Sequence, residues 1–207
     1  MANEERQTHP LTRALQSLFL IGLCLGLASL SPAGADSSSA EAPLVEANND
    51  FTFKGRPIHP GLVKEFQNWL SDYRPPITVT VDVGAAHDTN EYADAVTPAS
   101  DGGVLVTLGD NGGHFFYKRL GRLDNGAHVL HTVDKSAGTG IFQSLTFVRF
   151  HMGRGFDRDG IKPSKRLLMS VARVYAIVGP KTPDIQIEGN EVRIKNGARV
   201  IQLRFDD

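Results

Sequence analysis

The densest set of chemically versatile side chains lies between Gly84 and Gly103, where His87, Asp88, Asn90, Glu91, Tyr92 and Asp94 crowd together. This is the candidate ligand-binding segment. Its oxygen ligands suit a hard cation such as calcium. Its paired carboxylates, with Asp82 just upstream, would also suit acid–base hydrolysis of a glycoside. A solvated acidic loop, whose Asp and Asn side chains close local turns, needs neither chemistry. Crowded carboxylates repel one another, so a bound cation or a basic partner would relieve them.

A basic partner exists in the same chain. Gly153 to Arg166 carries Arg154, Arg158, Lys162, Lys165 and Arg166 around Phe156. Read as a basic hairpin loop, it is a second candidate surface, for a phosphate or an acidic polysaccharide. Asp157-Arg158-Asp159-Gly160 within it resembles part of a calcium loop. Setting Gly160 at the sixth position puts Gly155 at the first and Arg166 at the twelfth, which lacks the glutamate an EF-hand needs. Across the whole chain, Asp36 to Asp110 holds twelve acidic and four basic residues, whereas Asn111 to Asp207 holds sixteen basic and nine acidic. Such asymmetry marks either two partner faces or two halves that neutralise each other in one fold; the second is the simpler expectation.

Other motifs carry little. His128 and His131 are three apart in an expected strand, so they point to opposite faces and cannot share a metal without a bulge; a zinc site would need a cluster across strands with His114 or His151. Gly138-Thr139-Gly140 lacks the Gly-Lys-Ser/Thr ending of a phosphate loop and reads as a turn or bulge. Nucleophile-elbow, dinucleotide and zinc-helix motifs do not occur in the sequence. No cofactor is expected.

Residues 14 to 30 form an apolar run preceded by Arg13 and followed by Ser31-Pro32 and Ala33-Gly34-Ala35. A charged flank, an apolar stretch and a small-x-small site describe a signal peptide over residues 1–35, cleaved after Ala35. The destination is then the periplasm or the exterior, with nucleic acid excluded as a partner. Retained, the same run would anchor the chain to a membrane, which is the only route to the membrane that the sequence offers. Cys24, the single cysteine, lies inside this run, so the mature chain would hold no disulfide and no cysteine-ligated metal.

The elements that must position these residues follow from periodicity. Residues 36–50 are polar and acidic and read as a disordered lead-in to one domain over 51–207. Pro60 suits the first turn of a helix, on which Leu62, Phe66, Trp69 and Leu70 recur at helical spacing until Pro75-Pro76. From there the period becomes two. Strands are expected at Ile77 to Val83, Val104 to Leu108, His114 to Leu120, Ala127 to Val133, Ser144 to Met152 and Leu167 to Val178. The last of these is apolar on both faces, as a central strand would be. Three more short strands follow, hinged at Gly189-Asn190 and Asn196-Gly197; the Asn-Gly pairs, Asn196-Gly197 and Asn125-Gly126, read as type I′ turns.

The fold class is therefore mainly β: an antiparallel β-sandwich or barrel-like fold with one short N-terminal helix. The function it best suits is a non-catalytic domain binding a glycan or protein of the cell envelope. A small carboxylate-dependent hydrolase would need two of Asp82, Asp88, Glu91 and Asp94 to converge in an apolar cleft. A binding module would expose Tyr92, Phe156 or Tyr117 along a groove, and a structural envelope protein would show a broad apolar patch.

Overall fold

The computed structural model describes residues 37–66, 78–88, 96–108, 112–135, 140–156, 159–179 and 181–205. All belong to the compact unit Asp36–Asp207. The expected signal segment, Trp69, Leu70, Ile77 and Gly138-Thr139 lie outside the described residues.

The chain is mainly β and antiparallel. The elements run α1 (Ser37–Asp50), β1 (Thr52–Phe53), β2 (Arg56–Pro57), α2 (Pro60–Lys64), β3 (Thr80–Asp82), α3 (Val83–Asp88), β4 (Thr97–Pro98), β5 (Val104–Leu108), β6 (Gly113–Arg122), β7 (His128–Lys135), β8 (Ile141–Phe156), β9 (Pro163–Ile177), β10 (Asp184–Glu188), β11 (Glu191–Asn196) and β12 (Arg199–Arg204). A seven-stranded sheet has the order β3-β9-β8-β7-β6-β5-β4 and curls into a half-barrel. A three-stranded sheet, β10-β11-β12, is built from two successive hairpins.

Each face of the large sheet has its own core. On the concave face, Phe115 and Tyr117 of β6, Leu130 of β7, Val148 and Phe150 of β8, and Leu167 and Met169 of β9 meet the helices through Ala47, Leu62, Val63 and Phe66. On the other face, Val129, Leu145, Phe147 and Ile177 meet Val192, Ile194 and Leu203 of the small sheet.

Residues 37–50 are not the disordered lead-in their polarity suggests. They form α1, whose Ala47 is fully buried, with Leu44 packed beside it. Leu44, Ala47 and Phe51 stand at helical spacing, a short apolar stripe that average polarity conceals. Phe51 ends the helix at φ 57°, its N–H bonded to Ala47 O at 3.1 Å. That left-handed conformation is strained for a bulky residue. It is held because the ring packs on Tyr117, His128 and Phe150, with centroids 5.3–5.4 Å apart. Glu46 of α1 fixes the β1–β2 turn by accepting the N–H groups of Gly55 and Lys54 and the hydroxyl of Thr52; the Gly55 bond above all keeps its carboxyl below the usual range.

The expected helix at Pro60 is present as α2, with His59 Nδ1 capping Gly61 N–H at 3.0 Å. Where one helix is expected, α2 is accompanied by α1 and α3 among the described residues.

The 167–178 run lies inside the large sheet: β9 pairs with β8 along its length and, on its other side, with β3 at Thr80 to Asp82, among the described residues. Its two-sided apolar character has a further cause. The register slips between Phe147/Arg173 and Val148/Val171, leaving Ala172 as an extra residue. A bulge reverses which face later residues take. Leu167, Met169 and Val171 therefore serve the concave core, whereas Tyr175 and Ile177 serve the opposite one.

One hinge of the small sheet lies where expected and the other falls one residue later. Glu188 pairs with Glu191 and Asn196 with Arg199, so the two-residue loops are Gly189-Asn190 and Gly197-Ala198. Only the first residue of each has positive φ, 57° at Gly189 and 62° at Gly197. That is the φ pattern of type II′, not I′. At Asn125-Gly126 only Gly126 is positive, and its N–H bonds Leu123 O at 2.9 Å.

Candidate functional site

The Gly84 to Gly103 segment is not one long loop. Val83–Asp88 is helical and Thr97–Pro98 pairs with β5. Asp82 caps the helix, its Oδ1 accepting Ala85 N–H at 2.8 Å, and its Oδ2 lies 3.2 Å from Arg166 Nε. His87 packs against the Phe53 ring at 5.3 Å. Asp88 ends the helix, and Asn90, Glu91, Tyr92 and Asp94 lie outside the described residues.

The basic segment is strand rather than loop through most of its length. Arg154 is on β8, Lys165 and Arg166 are on β9, Lys162 precedes β9, and Arg158 lies outside the described residues. Arg154 stands opposite Lys165 in register. Arg166 is turned away from them to Asp82. Gly153 and Gly155 make room for this, since a Cβ there would meet Leu168 Cδ1 at 2.2 Å and Arg166 Cγ at 2.7 Å.

The histidines separate as their spacing requires. His128 is fully buried on the concave side, between Phe51 and Phe150. His131 faces the other core and bonds Gln143 Oε1 at 3.0 Å. Burial lowers the pKa of both. Among the described residues no group of three His, Cys, Asp or Glu side chains is placed to hold a metal ion. Tyr117, an expected exposed contact, is instead buried and donates its hydroxyl to Ile58 O at 2.6 Å.

A different surface is assembled by the fold. The small sheet and the large one part at the Asn196 end, leaving a cleft of about 220 Å³. Tyr175, Ala176, Ile177 and Val178 line it from one side. Ile194, Asn196, Arg199 and Ile201 line it from the other. The bulge at Ala172 is what turns Tyr175 and Ile177 toward this space. The II′ turn at Gly197 places Asn196 and Arg199 side by side at the mouth. Asn196 Nδ2 bonds Val178 O at 2.7 Å. Arg199 is exposed and makes no ion pair with a described carboxylate.

In the sequence Ile194 and Ile201 alternate with polar residues, a pattern that marks one face of a strand and nothing more. Only the exposed Asn196-Gly197 turn beside an apolar strand hinted at a mouth. In chemical terms the cleft is an apolar socket with one amide and one guanidinium at its rim. Apart from the phenol of Tyr175, the side chains that line it include no general acid, base or nucleophile. Comparison with known proteins adds no relative: no family model, no curated protein and no solved structure matches this chain.

Proposed function

We propose that this chain is an exported, non-catalytic binding domain that holds a protein partner of the cell envelope by one apolar anchor side chain in the Tyr175–Ile201 cleft. The observation carrying this reading is the cleft itself, the unfilled end of the layer between the two sheets. Its volume of about 220 Å³ is below the ~300–1,000 Å³ of sites that engulf a small molecule. It matches a single large side chain, the way interface anchors are seated. The aliphatic lining favours such an anchor over a sugar ring, and Arg199 suits a carboxylate next to it. The apolar run at 14–30 and Ala33-Gly34-Ala35 support export with removal of residues 1–35.

Titration of the isotopically labelled protein with a short Leu-Leu-Asp peptide tests the reading by amide shifts. Changes confined to 175–178 and 194–201, abolished by Ile201→Glu, are expected. Shifts produced by a chitin or cellulose oligosaccharide and not by the peptide would assign the cleft to a glycan. Intact mass of the exported protein tests the cleavage: retention of residues 14–30 would make the segment an anchor.

A further inference from the structure

β12 ends the small sheet, and its outer edge pairs with no described strand. Asn196 and Arg199 flank a two-residue loop, so they form a hydrogen-bonded pair, and such pairs recur at every second residue. Phe205 N–H bonds Asn190 O at 3.0 Å, which fits that phase. Arg199, Ile201 and Leu203 therefore direct their backbone groups to β11. Val200 and Gln202 direct theirs outward.

An open edge is a template for pairing unless it is short, bulged or interrupted by proline. β4 is two residues long and ends in Pro98, β3 is three residues long, and β10 directly follows Pro183. β12 runs for six residues in unbroken register with β11, and Val200 to Leu203 carry neither charge nor proline. The side chains of Gln202 and Arg204 reach back to Glu191 of β11, away from the free edge.

This edge adjoins the cleft, because Arg199 and Ile201 belong to both. Side chains along an added strand would alternate between faces. A residue opposite Ile201 would turn toward the cleft, and one opposite Arg199, two positions away, would share that face.

We propose that a partner protein adds an extended segment antiparallel to β12, with an apolar residue opposite Ile201 seated in the cleft and a carboxylate two residues later opposite Arg199. The proposal rests on the anchor reading above and specifies the backbone that delivers the anchor. In this mode main-chain bonds supply affinity and alternate side chains supply selectivity. Arg199 makes no ion pair with a described carboxylate and would gain one. A second copy of the chain fits less well. It would bring opposite Ile201 its own Arg199, or an Ile201, Leu203 or Phe205 that its own core already holds, and none of these could seat in the cleft.

The test uses the full chain and the peptide acetyl-Thr-Leu-Thr-Asp-amide. Leu would lie opposite Ile201 and Asp opposite Arg199, so the two threonines face the outward backbone groups of Gln202 and Val200. N-methylation of both threonines removes the donors aimed at β12 and should weaken binding roughly 30-fold. N-methylation of Leu and Asp, whose N–H groups would face away, should leave affinity unchanged. Val200→Pro removes an outward N–H and spares the β11 ladder; it should lose the peptide and keep the circular dichroism of the parent. Exchange of the Val200 and Gln202 amides should slow on binding. If the peptide shifts 175–178 and 194–201 and both methylated forms bind like the parent peptide, the cleft reading stands and strand addition is overturned. If the unmethylated peptide shifts nothing there, both fail together. Concentration-dependent dimerisation that Val200→Pro abolishes would assign the edge to a second copy and overturn the proposal.

Discussion

Asp82 Oδ2 stands 3.2 Å from Nε of Arg166, joining the acidic N-terminal half of the chain to its basic C-terminal half. The Nε–H is not aligned as a hydrogen bond, so the contact is an ion pair held by charge and proximity. The same carboxylate caps α3 with its other oxygen. Loss of a cap costs about 1 kcal/mol, and a partly solvated pair contributes less than ~1 kcal/mol. Asp82→Asn, which keeps a capping oxygen, should therefore destabilise by under about 1 kcal/mol, and Asp82→Ala by about 1–2 kcal/mol. Urea melts of both variants decide it; equal losses would mean that the cap contributes nothing.

His128 makes stability depend on acid. Its ring is fully buried and neither nitrogen has a hydrogen-bond partner. Burial, then the charges of Arg119 and Arg122, lower its pKa from 6.5 to about 3. The unfolded chain thus takes up the proton first as pH falls. The contribution of the neutral ring is complete above about pH 6.5 and is lost progressively toward about pH 3. The loss is on the order of 5 kcal/mol at most. His128→Leu should match or exceed the parent at neutral pH and lose less stability between those limits. Parallel pH-dependences of the two proteins would contradict the assignment.

Two glycines are required for different reasons. At Gly197, φ is 62° and an added Cβ would meet nothing within 4 Å, so only backbone strain opposes substitution. Gly197→Val should cost about 1–3 kcal/mol, and Gly197→Asn distinctly less, because Asn tolerates positive φ. At Gly103 a Cβ would lie 2.1 Å from the Phe116 ring and 2.9 Å from Tyr117 O. Gly103→Ala should cost about 1–3 kcal/mol through overpacking, and Gly103→Asn should give no relief. Denaturant midpoints separate the two patterns.

Tyr117 ties the sheet to the segment entering α2 through its 2.6 Å bond to Ile58 O. Tyr117→Phe preserves the ring and removes the donor. Losing one partner of a buried hydrogen bond costs about 1–3 kcal/mol. Thermal unfolding should show that loss without a change in far-UV circular dichroism. An unaltered midpoint would mean that water replaces the hydroxyl.

The sequence by itself determined what near neighbours control. Alternation at Ile185 to Ile187 or at Val192 to Ile194 expresses a strand with one buried face. Pro60 and the stripe of Leu62 and Phe66 express α2. The spacing of His128 and His131 placed them on opposite faces, and glycine at 189 and 197 marked the hinges. These are consequences of backbone sterics and of a two- or 3.6-residue repeat, which act over a few positions.

What only the tertiary structure decided depends on pairing between distant residues. Leu167, Met169, Val171, Tyr175 and Ile177 all stand at odd-numbered positions, yet the slip at Ala172 sends the first three to one core and the last two to the other. A bulge is defined by the partner strand, so periodicity along one strand cannot reveal it. For the same reason the cleft, made from 175–178 and 194–201, has no local signature. The pairing of Asp82 with Arg166 and the burial of Ala47 in α1 likewise exist only because the half-barrel brings β3, β9 and α1 together. Free energy is gained there by contacts that the chain meets only after it has closed on itself.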